Sequence, residues 1–195
     1  MTFNAVFKPL ALGTSLLALT VLSGCATSIK ASSTNNPPPA QAFAAYGRIE
    51  VKPVVFREGA SVDAAGLKRI QENLSKNLAP SLESWNQAPA NGKTLTVEPV
   101  IDEISFKHGA SRVLFGPMAG SSGVLMHFNI RDNQGNLIAK PEFFQRADAW
   151  AAGFVFGVHD NLMLTRVSAL AADYMVANYR EAKGGPTGAD DKNLK

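Results

Sequence analysis

Apolar residues recur at helical spacing in two separate segments of this chain. The first set lies three or four residues apart, at Leu67, Ile70, Leu74, Leu78, Leu82 and Trp85. The second set follows the same steps, at Met163, Val167, Leu170, Tyr174 and Ala177, and its apolar face is widened by Leu164, Ala171 and Met175. This spacing puts the apolar side chains on one face of an α-helix, so each segment predicts an amphipathic helix.

The ends of both helices can also be predicted. Ser61 or Asp63 precedes the first helix, and Asp160 precedes the second, so these polar side chains are candidate N-caps. Pro80 lies inside the first apolar pattern and predicts a kink or an end there, because proline cannot donate the helical hydrogen bond.

Two strands are indicated before and after the first helix. Tyr46 to Phe56 is rich in β-branched residues but contains Pro53, which predicts an edge strand or a bulge because proline has no N–H for the ladder. Thr94 to Phe106 alternates between apolar and polar residues, and the alternation changes phase near Asp102 and Glu103. That change predicts a β-bulge at the two carboxylates.

A hairpin follows, and it completes the predicted fold. Residues 124–130 alternate, Asp132 to Asn136 forms a loop in which Gly135 can take a positive φ, and Leu137 to Ala147 forms the return strand. The element order is therefore β-α-β-β-β-α. Since each helix has a single apolar stripe, we predict an α+β fold of two layers, with a mixed or antiparallel sheet packed against two helices.

The amino-terminal segment has the features of a secretory signal. An apolar stretch from Leu10 to Leu22 follows Lys8 and has thirteen residues, fewer than the roughly 20 that a membrane-spanning helix needs. It ends in Leu22-Ser23-Gly24-Cys25, which resembles the bacterial lipobox. The resemblance implies cleavage after residue 24 and acylation of Cys25, and Ala26 after the cysteine implies sorting to the outer membrane.

Polar segments flank the predicted domain. Residues 25–44 lack an apolar period and contain three consecutive prolines, which predicts a disordered tether. Residues 183–195 form a polar, glycine-rich tail that we also expect to be disordered. The domain organisation is thus a signal peptide over 1–24, a lipidated tether over 25–44, a folded periplasmic domain over 45–182, and a tail over 183–195.

Composition narrows the functional classes. The formal charge is only +3 over 195 residues, which is no electrostatic footprint for nucleic-acid binding. The single cysteine excludes an internal disulfide and a cysteine-cluster zinc site. We therefore expect no nucleic-acid partner, and we identify no cofactor.

Candidate chemistry is sparse. The glycine-rich segment His108 to Gly123 lacks the Lys-Ser/Thr pair of a phosphate loop and the spacing of a nucleophile elbow. The three histidines share no metal-ligand spacing, and Asp102 and Glu103, as neighbours in an extended segment, are expected on opposite faces. We therefore predict no catalytic residue and no metal site. A mobile loop and a partner contact both remain open for the glycine-rich segment.

A second segment offers apolar surface. Residues 150–158 carry no charge and include three aromatic rings, which fits either a buried connection under the last helix or an exposed contact patch. A β-meander would bring this run to the same end of the sheet as the glycine-rich segment. The possible partner-contact residues are Arg112, Phe115, Trp150, Phe154 and Phe156.

Several stretches between Thr94 and Tyr179 resemble uncharacterised Gram-negative lipoproteins of a domain-of-unknown-function class. The matching stretches are residues 116–122, Arg131 to Gly135, Pro141 to Arg146, and Asp160-Asn161. More loosely, the element order is similar to small periplasmic α/β lipoprotein domains, such as activators of peptidoglycan synthases, lipoproteins of exopolysaccharide and curli secretion, and the amino-terminal domain of the Tol-system propeller protein. These resemblances imply scaffolding or regulation through protein contact.

The sequence thus predicts a non-enzymatic lipoprotein, held in the outer membrane through Cys25 and facing the periplasm. Its partner would be an envelope protein of an assembly, secretion or regulation complex, or a second copy of the chain. The alternative is a small-molecule-binding module or a hydrolase that uses the loop 108–123.

Overall fold

A computed structural model of the chain describes residues 29–106, 122–147 and 158–190, with side chains from residue 161 onward in the last range. These ranges contain two long helices, eight strands and one turn of 3₁₀ helix over Phe43–Ala45. The helices are α1 (Ala64–Trp85) and α2 (Val158–Arg180). The strands are β1 (Asn35–Asn36), β2 (Arg48–Val51), β3 (Val55–Phe56), β4 (Thr94–Ser105), β5 (Ser122–Asp132), β6 (Leu137–Ala139), β7 (Glu142–Ala147) and β8 (Gly185–Pro186).

Strands β2 to β7 form a six-stranded mixed sheet. The long strands β4 and β5 lie antiparallel at its centre, β2 and β3 pair with the outer side of β4, and β6 and β7 pair with the outer side of β5. The inner-facing residues of β4 and β5 share one core with both helices, and Leu95, Val97, Met126, Phe128 and Leu74 are almost fully buried there. The α+β two-layer fold predicted from the sequence is confirmed.

The interrupted first strand and the bulge are observed as predicted. The chain breaks between β2 and β3 around Pro53, and both pieces pair in parallel with β4 at the edge of the sheet. In β4 the register jumps from Ile101 opposite Met126 to Glu103 opposite Leu125, so Asp102 is the extra residue of a bulge. The phase change of the apolar pattern located this bulge.

Helix α1 begins directly after Asp63, one of the two predicted N-caps. The Asp63 carboxylate accepts a hydrogen bond of 2.6 Å from the Gly66 N–H, which satisfies a free donor of the first turn. Pro80 does not end the helix, which continues to Trp85. Pro80 is exposed to solvent, so the Lys76 carbonyl, which its missing N–H leaves unbonded, can be hydrated.

Helix α2 differs from its prediction at both the start and the buried face. It begins at Val158, two residues before Asp160, so Asp160 lies within the first turn and is not the cap. Its buried face is centred on Leu164, Ala171 and Met175, the residues predicted to widen the apolar face, whereas Leu170 is only half-buried. The predicted stripe placed Leu170 at the centre because steps of three and four residues fit two neighbouring faces of a helix.

The hairpin loop has the predicted turn chemistry. The Asp132 carboxylate accepts from the backbone N–H groups of Gln134 and Asn136, at 2.9 and 2.8 Å, and Gly135 has φ 86°. The return segment consists of two strands, β6 and β7, because the chain is interrupted at Lys140 and Pro141.

The described parts of both flanking segments pack against the domain and belong to its fold. Residues 29–44 and 183–190 were expected to be disordered, but β1 and β8 pair antiparallel and Phe43 is fully buried in the core. The Ala40 N–H donates to the Ile138 carbonyl at 2.9 Å. Their polar composition hid this packing because it depends on backbone hydrogen bonds to β6 and β7 and on a few isolated apolar side chains.

Candidate functional site

The predicted lipidation and contact residues lie outside the described residues. They fall within 1–28, 107–121 and 148–157, and they are Cys25, Arg112, Phe115, Trp150, Phe154 and Phe156. The described residues do show where the segments that carry them join the domain.

Both segments that hold the predicted contact residues join the sheet at the same end. One residue separates Ser105 of β4 from the start of the 107–121 segment, and Ser105 lies opposite Gly123, next to the start of β5. Ser122 in turn lies opposite Ala147, the last residue of β7 before the 148–157 segment. The two segments therefore leave the sheet at the same end of three adjacent strands, β4, β5 and β7. We call this end the loop end and define it by Ser105, Ser122 and Ala147.

The amino-terminal part of the domain reaches the loop end as well. Ile29 is buried with Phe144 and Ala31 in a small apolar cluster, on the sheet face opposite the helices. A Cβ atom at Gly123 would lie 3.4 Å from the Ile29 Cδ1 atom, so the missing side chain of this glycine leaves room for the isoleucine. From there the chain runs along β7 away from the loop end.

Residues 29–36, which we call the strap, are fixed to β7 by polar contacts. The Ser32 N–H and hydroxyl donate to the Glu142 carboxylate at 2.8 and 2.7 Å. The Asn36 side chain bonds both backbone groups of Glu142, each at 2.8 Å. Asn36 is itself buried. Its side-chain amide therefore makes the two hydrogen bonds that a neighbouring strand would make at this edge of β7.

The carboxy-terminal segment covers the next part of that edge. The Phe144 N–H donates to the Thr187 carbonyl at 2.7 Å, and the Thr187 hydroxyl donates to the Ser33 carbonyl at 2.6 Å. The strap and this segment thus cover the edge of β7 together. An edge covered in this way is not available for strand addition by another chain.

A polar cluster lies on the open face of the sheet, opposite the helices. The His127 Nδ1 atom is 2.6 Å from the Asp102 Oδ2 atom, so a proton on this nitrogen donates to the carboxylate. The Arg57 Nε atom lies 3.5 Å from the other carboxylate oxygen. His127 is buried, and its contact with Asp102 ties β5 to the bulge, while Arg57 ties the bulge to the end of β3.

The bulge also changes the placement of the two neighbouring carboxylates. Asp102 reaches His127 and Glu103 lies opposite Leu125, and both partners belong to the open face of β5. The expectation that Asp102 and Glu103 point to opposite faces is therefore wrong. Strict alternation holds only for a regular strand, and the extra residue of a bulge breaks it.

A groove of about 580 Å³ lies at the other end of the domain, between the carboxyl ends of α1 and α2. The Trp85 and Tyr179 rings line it and stack with their centroids 4.5 Å apart and their planes within 9°. Arg180, Glu181 and Lys183 contribute charged groups to its rim. We call this end, which also holds the Asp132–Asn136 hairpin loop, the far end.

Neither α1 nor α2 is long and apolar enough to cross a membrane. No group of three His, Cys, Asp or Glu side chains is placed to hold a metal ion within the described ranges.

Sequence reasoning missed the strap, the polar cluster and the groove. The bulge at Asp102 was a usable signal for the cluster, because bulges commonly redirect side chains. Trp85 ends the apolar stripe of α1 and Tyr179 lies near the end of α2, but their stacking depends on how the two helices pack. The strap gave no signal in the apolar pattern.

No protein-family model matches this chain, and no curated protein matches it. Among solved structures, similar chains include two dodecamers of PelC from Paraburkholderia phytofirmans, one of them a point variant. These are 11% and 12% identical, with TM-scores of 0.42 and 0.40, and each match covers 69% of this chain and 92% of that one. A predicted lipoprotein from Caulobacter crescentus CB15 is 14% identical with a TM-score of 0.34, over 68% of this chain and 88% of that one. Similarity at this level says nothing about the task or partners of this chain.

Proposed function

We propose that this chain is a lipoprotein, anchored through Cys25 in the outer membrane and facing the periplasm. It works without catalysis, through protein contact in an envelope assembly, secretion or regulation complex. The lipobox-like Leu22-Ser23-Gly24-Cys25 after a short apolar segment supports the anchor. The contact partner is another envelope protein or a second copy of this chain.

The contact part of this proposal is supported by the positions of the ends of β4, β5 and β7. The segments 107–121 and 148–157 hold the proposed contact residues Arg112, Phe115, Trp150, Phe154 and Phe156, and they leave the sheet from adjacent strands. We propose that the two segments form one contact surface, in which a few aromatic rings supply most of the binding energy and Arg112 lies at the rim.

The polar cluster fits a structural role within this proposal. Asp102 is the extra residue of the bulge, and it lies between a histidine of β5 and an arginine that follows β3. Such contacts hold three strands in register below the loop end. The geometry thus favours a rigid support for the two segments over a site of chemistry.

Photo-crosslinking in living cells tests the contact surface. A photoreactive phenylalanine analogue replaces Phe115, Trp150 or Phe154 in separate variants, and Leu137 or Val176 in the controls. The controls lie at or near the far end, and both side chains are about half exposed. We expect the first group to crosslink to one discrete protein and the controls to none.

Two results would contradict this proposal. Equal crosslinking from both groups would show that the loop end is not selective. Hydrolysis or tight binding of a small molecule that requires residues 108–123 would instead favour the alternative function.

A further inference from the structure

The position of the strap determines how far the domain can move from its anchor. Ile29, the first residue of the strap, is only four residues after Cys25. At most about 3.6 Å of chain per residue allows roughly 14 Å between the acylated cysteine and the domain. A tether that remained disordered to residue 44 would allow roughly 70 Å by the same measure.

The direction of the strap determines which end of the domain meets the membrane. The strap begins beside Gly123 at the loop end and runs along β7 towards Glu142. Strand β4 has twelve residues, so the far end lies about 35–40 Å from the loop end along the strands. A link of about 14 Å therefore cannot hold the domain with its far end towards the membrane and its loop end away.

Two basic residues lie beside the loop end. Lys30 follows Ile29 in the strap, and Arg146 lies opposite Gly123 on β7. Both side chains are exposed. Basic residues close to a bilayer are attracted by the phosphates of anionic lipids.

We propose that the strap holds the loop end against the lipid headgroups, with the Trp85–Tyr179 groove directed away from the membrane. This inference rests on the lipid anchor of the proposed function. It also narrows the partner class, because a protein that contacts the loop end must then lie in or on the same membrane.

Quenching of a fluorophore by spin-labelled lipid headgroups tests this orientation. The full acylated protein is placed in vesicles of phosphatidylethanolamine and phosphatidylglycerol that carry a nitroxide on a fraction of the headgroups. Because acylation blocks Cys25, single engineered cysteines can carry the fluorophore. The loop-end variants are Lys30→Cys and Ser105→Cys, and the matched far-end variants are Leu137→Cys and Val176→Cys.

We expect loss of emission at Lys30→Cys and Ser105→Cys and none at the far-end variants. A flexible Gly-Ser segment of about twenty residues, inserted between Ser28 and Ile29, should remove this difference because its fully extended reach of roughly 70 Å exceeds the length of the domain. The insertion leaves the strap and its contacts with Glu142 unchanged, so the melting temperature should also be unchanged.

Flotation of the vesicles tests the lipid anchor separately from the orientation of the domain. Protein that does not float with the vesicles would refute the anchor at Cys25. Protein that floats but is quenched equally at both ends, or only at the far end, would overturn the orientation. Quenching at the loop end that persists after the insertion would overturn the role of the strap.

Discussion

Phe43 gives the sharpest test of the order found in the amino-terminal segment. Its ring is fully buried, and it lies 6.3 Å from the Tyr174 ring of α2, centroid to centroid. Replacing a buried phenylalanine by alanine removes its transfer free energy and leaves a cavity, at a cost of about 3–5 kcal/mol. Domains of this kind have a total stability of roughly 5–15 kcal/mol, so Phe43→Ala should remove a large part of it.

The expected result differs clearly from that of a disordered tether. With an m-value of about 2 kcal/mol per molar urea, the loss moves the unfolding midpoint down by roughly 2 M. For a domain of this size the melting temperature falls by about 6–20 °C. A phenylalanine in a disordered tether would change the free energy of unfolding by no more than about 0.5 kcal/mol.

Urea unfolding of the chain from residue 26 onward, followed by circular dichroism, measures this effect. Val62→Ala is the control, since Val62 is 72% exposed. Phe43→Leu keeps most of the buried volume and should lose less stability than Phe43→Ala. If Phe43→Ala and Val62→Ala shift the midpoint equally, the packing of this segment against α2 is wrong.

Three further tests address the core, a buried phenol and the anchor. Leu74→Ala should cost about 2–5 kcal/mol because Leu74 is 1% exposed, and Leu170→Ala should cost clearly less because Leu170 is half-buried; equal shifts in urea midpoint would contradict this ranking. Burial raises the pKa of Tyr174 to about 12 from its ordinary 10.0. The folded state therefore keeps the phenolic proton longer than the unfolded state, and this contribution is complete below pH 10 and is lost as the pH rises towards 12. The loss amounts to about 2–3 kcal/mol. Tyr174→Phe should remove this part of the decline, and a decline as steep in the variant as in the parent would refute it. Cys25→Ser should leave an uncleaved precursor without fatty-acid label, and full palmitate labelling of this variant would refute the anchor.

Local interactions explain the parts of the fold that could be predicted. The cap at Asp63, the bulge at Asp102 and the Asp132–Asn136 turn each depend on side chains within a few residues of the feature. The long apolar stripe of α1 and the alternation in β5 also report directly which face is buried. These features determine the element order, and hence the two-layer architecture.

Contacts between distant residues explain what could not be predicted. Asn36 binds Glu142, and Thr187 binds Ser33 and Phe144, although more than forty residues separate the partners in each pair. A polar segment with no apolar period carries no sign that its hydrogen bonds will be made to a strand edge far along the chain. The order of the strap, and with it the short reach from the proposed anchor, therefore came only from the tertiary structure.

The candidate site divides in the same way. The sequence by itself determined the lipobox-like segment, the glycine-rich and apolar segments predicted to make contacts, and the absence of a recognisable catalytic motif, because these are patterns of neighbouring residues. A predicted β-meander already suggested one common end for the two segments, but only the tertiary structure decided the register that puts Ser105, Ser122 and Ala147 side by side there. It also decided that Ile29 reaches the same end of the sheet. The physical reason is strand register, which is fixed by pairing across the whole sheet, so no single segment of the sequence contains it.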